Sequence, residues 1–112
     1  MLVEMKLQDN PFRLIKNGTK TIEMRLLDDK RKLLNVGDII QFTNQNTQEK
    51  ISTKIVKLHF FKNFAELYSH FNKTMLDYSY NVDAYPSDME LYYPIEEQTK
   101  FGVIAIGIEL LK

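Results

Sequence analysis

The residues of this chain best suited to chemistry stand together in Gly18-Thr19-Lys20-Thr21-Ile22-Glu23-Met24-Arg25. An amine, a hydroxyl, a carboxylate and a guanidinium so close in sequence can hold an anion, read a nucleobase edge or move a proton. In a strand, side chains alternate between faces, so Thr21, Glu23 and Arg25 share one face and Ile22, Met24 and Leu26 the other. The polar row is about 13 Å long at roughly 3.3 Å per residue. Lys20 has the apolar parity and joins the row only if the strand starts irregularly, at a bulge or a turn.

Arg25 suits bidentate contact with phosphate or a base edge. Glu23 either accepts from a nucleobase amine or a 2′-hydroxyl, or pairs with Lys20 or Arg25 to hold a cleft together. Lys20 acts as a catalytic group only if its pKa is depressed, which burial beside Arg25 favours and Glu23 opposes. Tyr78, Tyr80, Tyr85, Tyr92 and Tyr93 either pack beneath a long loop or stack bases, the latter at about 1–3 kcal/mol per base. Tyr92 and Tyr93, expected on a helix, are the pair assigned to the cleft. His59 and His70 have no neighbouring ligand at metal spacing and are read as incidental.

Several elements must position these groups. Leu2 to Leu7 alternates as a strand, and Asn10-Pro11 opens a helix that Gly18 stops. The charge run Asp28 to Leu34 reads as one or two helical turns, either a solvated cap or a basic lip beside the polar strand. After the Asn35–Asp38 turn come a strand over Asp38–Thr43, a polar hairpin loop, and a long strand from Glu49 to Phe61. The apolar phase slips within that last strand, with Ile51 and Ile55 odd but Val56, Leu58 and Phe60 even. The slip predicts a bulge or a sharp bend of the kind that closes small barrels. Asn63 caps a helix to about Asn72, burying Phe64, Leu67 and Phe71, and Ser87-Asp88-Met89-Glu90 is a capping box for another, interrupted at Pro94. Phe101 to Leu111 is a strand whose small opposite face, Val103, Ala105 and Gly107, admits close packing. About five strands and short flanking helices give an α+β class, as a small β-barrel.

The chain has 112 residues, 44% of them hydrophobic and 27% charged, which suits one domain with its own core. No apolar run reaches the length of a membrane span, and no cysteine is present for a disulfide or thiolate site. A cytoplasmic location is the default expectation. Net charge is zero, which argues against binding phosphate by bulk charge. Eight bases against five acids precede residue 33, while Asp77 to Glu97 holds six acids and no base. If these halves fold to opposite sides, one side is basic enough for a short anionic ligand; the equal alternative is that the charges mix evenly over a solvated surface.

Pro11-Phe12, Ile15, Gly18-x-Lys20-Thr21-Ile22-Glu23-x-Arg25, Gly37-Asp38-x-Ile40-x-Phe42, Tyr92-Tyr93 and Phe101-Gly102-Val103 together resemble an ASCH domain of the small, single-domain bacterial type. The resemblance runs over nearly the whole chain and implies one ASCH/PUA-like domain over residues 1–112. PUA folds are β-barrels that bind RNA, and the family's motif lines a cleft, which would put Lys20, Glu23 and Arg25 at the ligand. Some small bacterial members are amidohydrolases that deacetylate N(4)-acetylcytidine with a lysine, a threonine and a glutamate. Lys20 matches their lysine, but Glu23 stands at their threonine position, and a carboxylate cannot replace a hydroxyl nucleophile without changing the chemistry. Asp77, Asp83 and Glu90 all lie in the region of their glutamate, none within a recognisable motif. Other members have been described as ribonucleases.

The expectation is an RNA- or nucleotide-binding ASCH domain contacting its ligand through Lys20, Thr21, Glu23, Arg25, Tyr92 and Tyr93, with no cofactor and no metal. The alternative is a hydrolase of a modified nucleoside, or a ribonuclease, with Lys20 as catalytic group and Glu23 as acid/base. A third reading, a protein-interaction module, would show itself by a salt-insensitive partner.

Overall fold

The alternating residues of the N-terminal segment form β1 (Leu2–Leu7), with Met5 and Leu7 buried and Leu2, Glu4 and Lys6 exposed. β1 runs parallel to β3 (Ile39–Asn44), placing Met5 opposite Phe42. β4 (Lys50–Phe61) is antiparallel to β3, β5 (Val103–Leu110) to β4, and β2 (Ile22–Leu26) to β5. The computed structural model describes residues 1–111 and gives the five-stranded order β1-β3-β4-β5-β2. The expected α+β barrel takes the form of a curled half-barrel sheet with flanking helices. Its edges, β1 and β2, come close enough for the Arg25 guanidinium to donate to the Lys6 carbonyl at 3.3 Å.

Two apolar cores sit on opposite faces of this sheet. The concave face gathers Met5, Leu7, Ile40, Phe42, Ile55, Ile104, Ile106 and Ile108, and α1 (Asp9–Lys16) packs Phe12 and Ile15 against them. On the other face Ile22, Met24, Leu26, Val103 and Ala105 meet Phe64 and Leu67 of α2 (Phe64–His70), together with Leu76 and Met89. β5 is therefore buried on both faces from Val103 to Ile108, which is why its residues are aliphatic or small rather than alternating polar.

The phase slip in β4 is a bulge. Ile55 pairs with Ile108 and Lys57 with Gly107, leaving Val56 unpaired and exposed. A Cβ at Gly107 would lie 3.3 Å from the Lys57 carbonyl oxygen, so the small face of β5 is needed where the bulge presses on it.

Some local expectations are corrected. α1 begins at Asp9, so Pro11 stands third in the helix, where its missing N–H still has no intrahelical use. Asn63 does cap α2, accepting from the Glu66 N–H at 2.9 Å, but the helix ends at His70, and Asn72 instead caps a 3₁₀ turn, Lys73–Met75. The charge run does give one helical turn, the shorter of the two lengths expected, and it is of the 3₁₀ type, Arg31–Leu33. Ser87-Asp88-Met89-Glu90 opens no α-helix: the segment is a 3₁₀ turn, Pro86–Leu91, in which Asp88 accepts from the Tyr85 N–H at 3.4 Å. Phe101 closes α3 (Ile95–Phe101) instead of starting β5. Phe60, expected in the apolar phase, is 59% exposed; it lies on the part of β4 beyond Lys54, where β3 no longer runs alongside. Among the described residues no helix is long and apolar enough to cross a membrane.

Two substitutions test the bulge. Gly107→Val is expected to lower stability by about 1–3 kcal/mol through overpacking against Lys57. Val56→Thr, on the exposed unpaired residue, should change it by no more than about 0.5 kcal/mol. Urea denaturation of both variants reads the difference.

Candidate functional site

α1 ends at Lys16, and Gly18 adopts φ 86°, a left-handed conformation that glycine takes without a Cβ clash. The chain then turns back, with the Lys20 N–H donating to the Leu14 carbonyl at 2.9 Å and the Thr21 N–H to the Met75 carbonyl at 3.0 Å. Ladder pairing with β5 starts only at Ile22. Lys20 thus belongs to a turn, is released from strand parity, and points its amine to the side of Glu23.

There an alternating chain of charges forms. Lys20 Nζ lies 3.1 Å from Glu23 Oε1 and 2.5 Å from Asp77 Oδ1. Glu23 Oε2 accepts from Arg25 Nε at 2.9 Å and Nη2 at 2.7 Å. Side-chain exposure falls from 34% at Asp77 and 15% at Arg25 to 5% at Glu23 and 1% at Lys20. Burial alone would drive the Lys20 pKa down, but the carboxylates of Glu23 and Asp77 outweigh it and hold the ammonium above its ordinary value. Burial likewise pushes Glu23 up, and the charges of Lys20 and Arg25 reverse this, leaving its carboxylate below the ordinary value. The Lys20 pKa is thus shifted up rather than down, and that of Glu23 down, each stabilising the charged form of the other.

Beside the chain lies a cleft of about 220 Å³ in the seam between the sheet edges. Lys6, Leu7 and Gln8 form one wall; Glu23, Met24 and Arg25 form the other; Asp77, Met89, Tyr92 and Tyr93 close the top. Tyr93 stacks on Phe64 with ring centroids 6.0 Å apart and turns its hydroxyl to Arg25, while Tyr92 is 58% exposed at the mouth. Neither tyrosine is on a helix as expected; they occupy the connection between the Pro86–Leu91 turn and α3, pinned by Gln98, whose side chain donates to the Tyr93 carbonyl at 2.9 Å. Of the six residues expected at a ligand, Glu23, Arg25, Tyr92 and Tyr93 line the cleft. Lys20 lies behind them, covered by Asp77. Thr21 is also off the wall, its Oγ1 buried without a hydrogen-bond partner.

The basic and acidic halves do not separate here; of the two arrangements open to the sequence, the charges mix. Asp77, from the acidic half, binds Lys20, and the cleft wall balances Lys6 and Arg25 against Glu23 and Asp77. Asp77 is held in place by the next residue: the Tyr78 hydroxyl donates to Asp88 at 2.7 Å and bonds the Tyr68 hydroxyl at 2.8 Å. Burial pushes Tyr68 up to about 12. Asp77 was one of three unplaced acids in the sequence; Gln98 carries no sequence signal at all. His59 and His70 sit elsewhere, in an aromatic cluster with Phe61 and Phe71.

Removing the central carboxylate tests this account. Glu23→Gln leaves two cations without their shared partner and is expected to lower stability at neutral pH by about 3–5 kcal/mol. Because folding lowers the Glu23 pKa, its contribution is complete above the ordinary value of 4.5 and disappears as pH falls through the lower folded value. Lys20, raised by folding, contributes below its ordinary 10.5 and ceases to do so only above the higher folded value. Denaturation across pH should therefore show the wild-type advantage over Glu23→Gln constant near neutrality and shrinking below about 4.5.

Residues 5–112 match the ASCH domain family. The crystal structure of hypothetical protein PH0355 is 30% identical, spans 99% of this chain and 100% of its own, and superimposes with a TM-score of 0.84. The solution structure of protein PF0455 from Pyrococcus furiosus is 29% identical over 100% of this chain and 99% of its own, with a TM-score of 0.77. A mutant ASCH protein from Zymomonas mobilis, 14% identical, shares the fold with a TM-score of 0.71 over 96% of this chain and 67% of its own. No curated protein matches the sequence. The chain belongs to the ASCH domain family, a PUA-like fold that is generally RNA-binding.

Proposed function

We propose that the seam cleft binds one nucleotide of single-stranded RNA and does so without chemical turnover. The observation that carries this reading is the state of Lys20. A buried ammonium held between two carboxylates has no lone pair with which to attack or to take a proton at neutral pH. What the cleft does offer is recognition. Glu23 holds the Arg25 guanidinium in one orientation, suited to a phosphate or a base edge, so little ordering remains to be done when the ligand arrives. Exposed Tyr92 supplies a face for stacking beside the anchored Tyr93.

A second reading has one observation in its favour. Asp77 lies on the cleft wall in contact with Lys20, so an acid does accompany the motif lysine, as in the amidohydrolase-type members that the sequence resembles. Under that reading the substrate is N(4)-acetylcytidine or another modified nucleoside, or an RNA phosphodiester. Lys20 must then be released from Asp77, and Glu23 must leave its pair with Arg25 to act as acid/base.

Incubation with N(4)-acetylcytidine and with a short single-stranded RNA, followed by mass, separates the two. Under the binding reading both stay intact. Arg25→Ala and Tyr92→Ala should each weaken RNA binding, measured by fluorescence anisotropy, by about 1–3 kcal/mol, roughly 5- to 150-fold. Acetyl loss or strand cleavage that disappears in Lys20→Ala while ligand still binds would establish the enzyme instead.

A further inference from the structure

The cleft occupies only one end of the seam. Beyond Lys6 the seam widens into an open groove of about 800 Å³, walled by β1 on one side and by residues 30–34, which follow β2, on the other. Lys6 lines both spaces, so groove and cleft adjoin at that residue. Four cations border the groove, Lys6, Lys30, Arg31 and Lys50, against Glu4 as the one acid on its wall. Lys30 and Lys50 are exposed. Arg31 joins the two spaces electrostatically: it pairs with Asp28 through Nη1 at 2.9 Å, its Nε is buried with no partner, and its charge reaches the Tyr93 hydroxyl. The outer edge of β1 has no strand beside it, and Leu2 and Leu33 stand exposed along the floor.

We propose that this groove carries the sugar-phosphate backbone of the RNA strand whose base occupies the cleft, with Lys30, Arg31 and Lys50 neutralising successive phosphates. The proposal rests on the reading of the cleft as a nucleotide site. Charge argues for it: the cleft wall is balanced, as suits a base and ribose, whereas the adjoining groove is positive, as suits a run of phosphates. An extended acidic peptide, added as a strand along β1, would find the same cations. RNA is favoured because the cleft that shares Lys6 with the groove also carries the exposed Tyr92, a platform that a nucleobase uses and a peptide strand does not need.

The test is fluorescence anisotropy with labelled single-stranded RNA of about 10 nucleotides, a length within the range that single-strand binding folds accommodate, and with a labelled dinucleotide. Three proteins are compared: wild type, the charge-reversed pair Lys30→Glu and Lys50→Glu, and Tyr92→Ala. Both lysines are exposed and unpaired among the described residues, and circular dichroism confirms that the reversed variant folds. The expected result is that charge reversal weakens the long RNA about 10-fold or more at low salt and leaves the dinucleotide within about twofold. The slope of log affinity against log salt should become shallower by about 1.4, or 0.7 for each of two lost phosphate contacts on a single strand. If the long RNA binds no more tightly than the dinucleotide and charge reversal has no effect while Tyr92→Ala still weakens both, the groove proposal fails and the cleft reading stands. If neither RNA binds, the cleft reading fails and takes the groove with it. Binding of labelled polyglutamate that depends on Lys30 and Lys50, without RNA binding, would overturn the proposal in favour of an acidic protein partner.

Discussion

The buried pairing of Glu23 with Lys20 and Arg25 is the constraint on which the site depends. A carboxylate and an ammonium at this depth are each expensive to desolvate, and only their mutual proximity offsets the cost. Once made, the pairing fixes several things together. It ties the turn after α1 to β2, holds the guanidinium flat against the seam, and gives Asp77 a cation to bind, which draws the long connection between α2 and α3 over the cleft. A hydrophobic substitute at Glu23 could fill the space but could not orient the cations on either side.

The cleft beside this pairing exists because the sheet does not close. In a closed barrel β1 and β2 would satisfy each other's backbone groups and leave no seam. Here one guanidinium bridges to the Lys6 carbonyl, and the remaining opening is the cleft and the groove beyond it. The bulge at Val56 and the absence of a side chain at Gly107 bring β4 close against β5 as the sheet curves. Two cores on opposite faces of β5 then make the curved sheet rigid enough to present polar groups at fixed positions.

Chemistry at the site follows from burial more than from residue type. Lysine, glutamate and arginine in one short motif are compatible with catalysis or with recognition. The charge state of the lysine depends on its surroundings, and here two carboxylates within hydrogen-bond reach favour its ammonium form. The tyrosines divide in the same way. Tyr78 is locked into hydrogen bonds with Tyr68 and Asp88, Tyr93 is stacked on Phe64, and Tyr92 alone of these three is mostly exposed at the cleft.

What the sequence determined by itself was what depends on near neighbours. Strand parity set Glu23 and Arg25 on one face and Ile22, Met24 and Leu26 on the other; the phase slip marked the bulge; Gly18 and Asn63 marked a helix stop and a helix cap. Period and capping are local properties, so the order of residues suffices to read them. Tertiary structure alone decided which distant groups meet. Asp77 reaches Lys20 across 57 positions of sequence, and Gln98 fastens the Tyr93 backbone from a separate helix. It also decided the phase of Lys20, because a turn has no parity to obey, and the helical type of Pro86–Leu91, because Asp88 is occupied by Tyr78 as well as by the turn's own backbone. The charge state of the lysine belongs to the same class. It is set by the distances to two carboxylates, and the distance to Asp77 does not exist until the chain has folded.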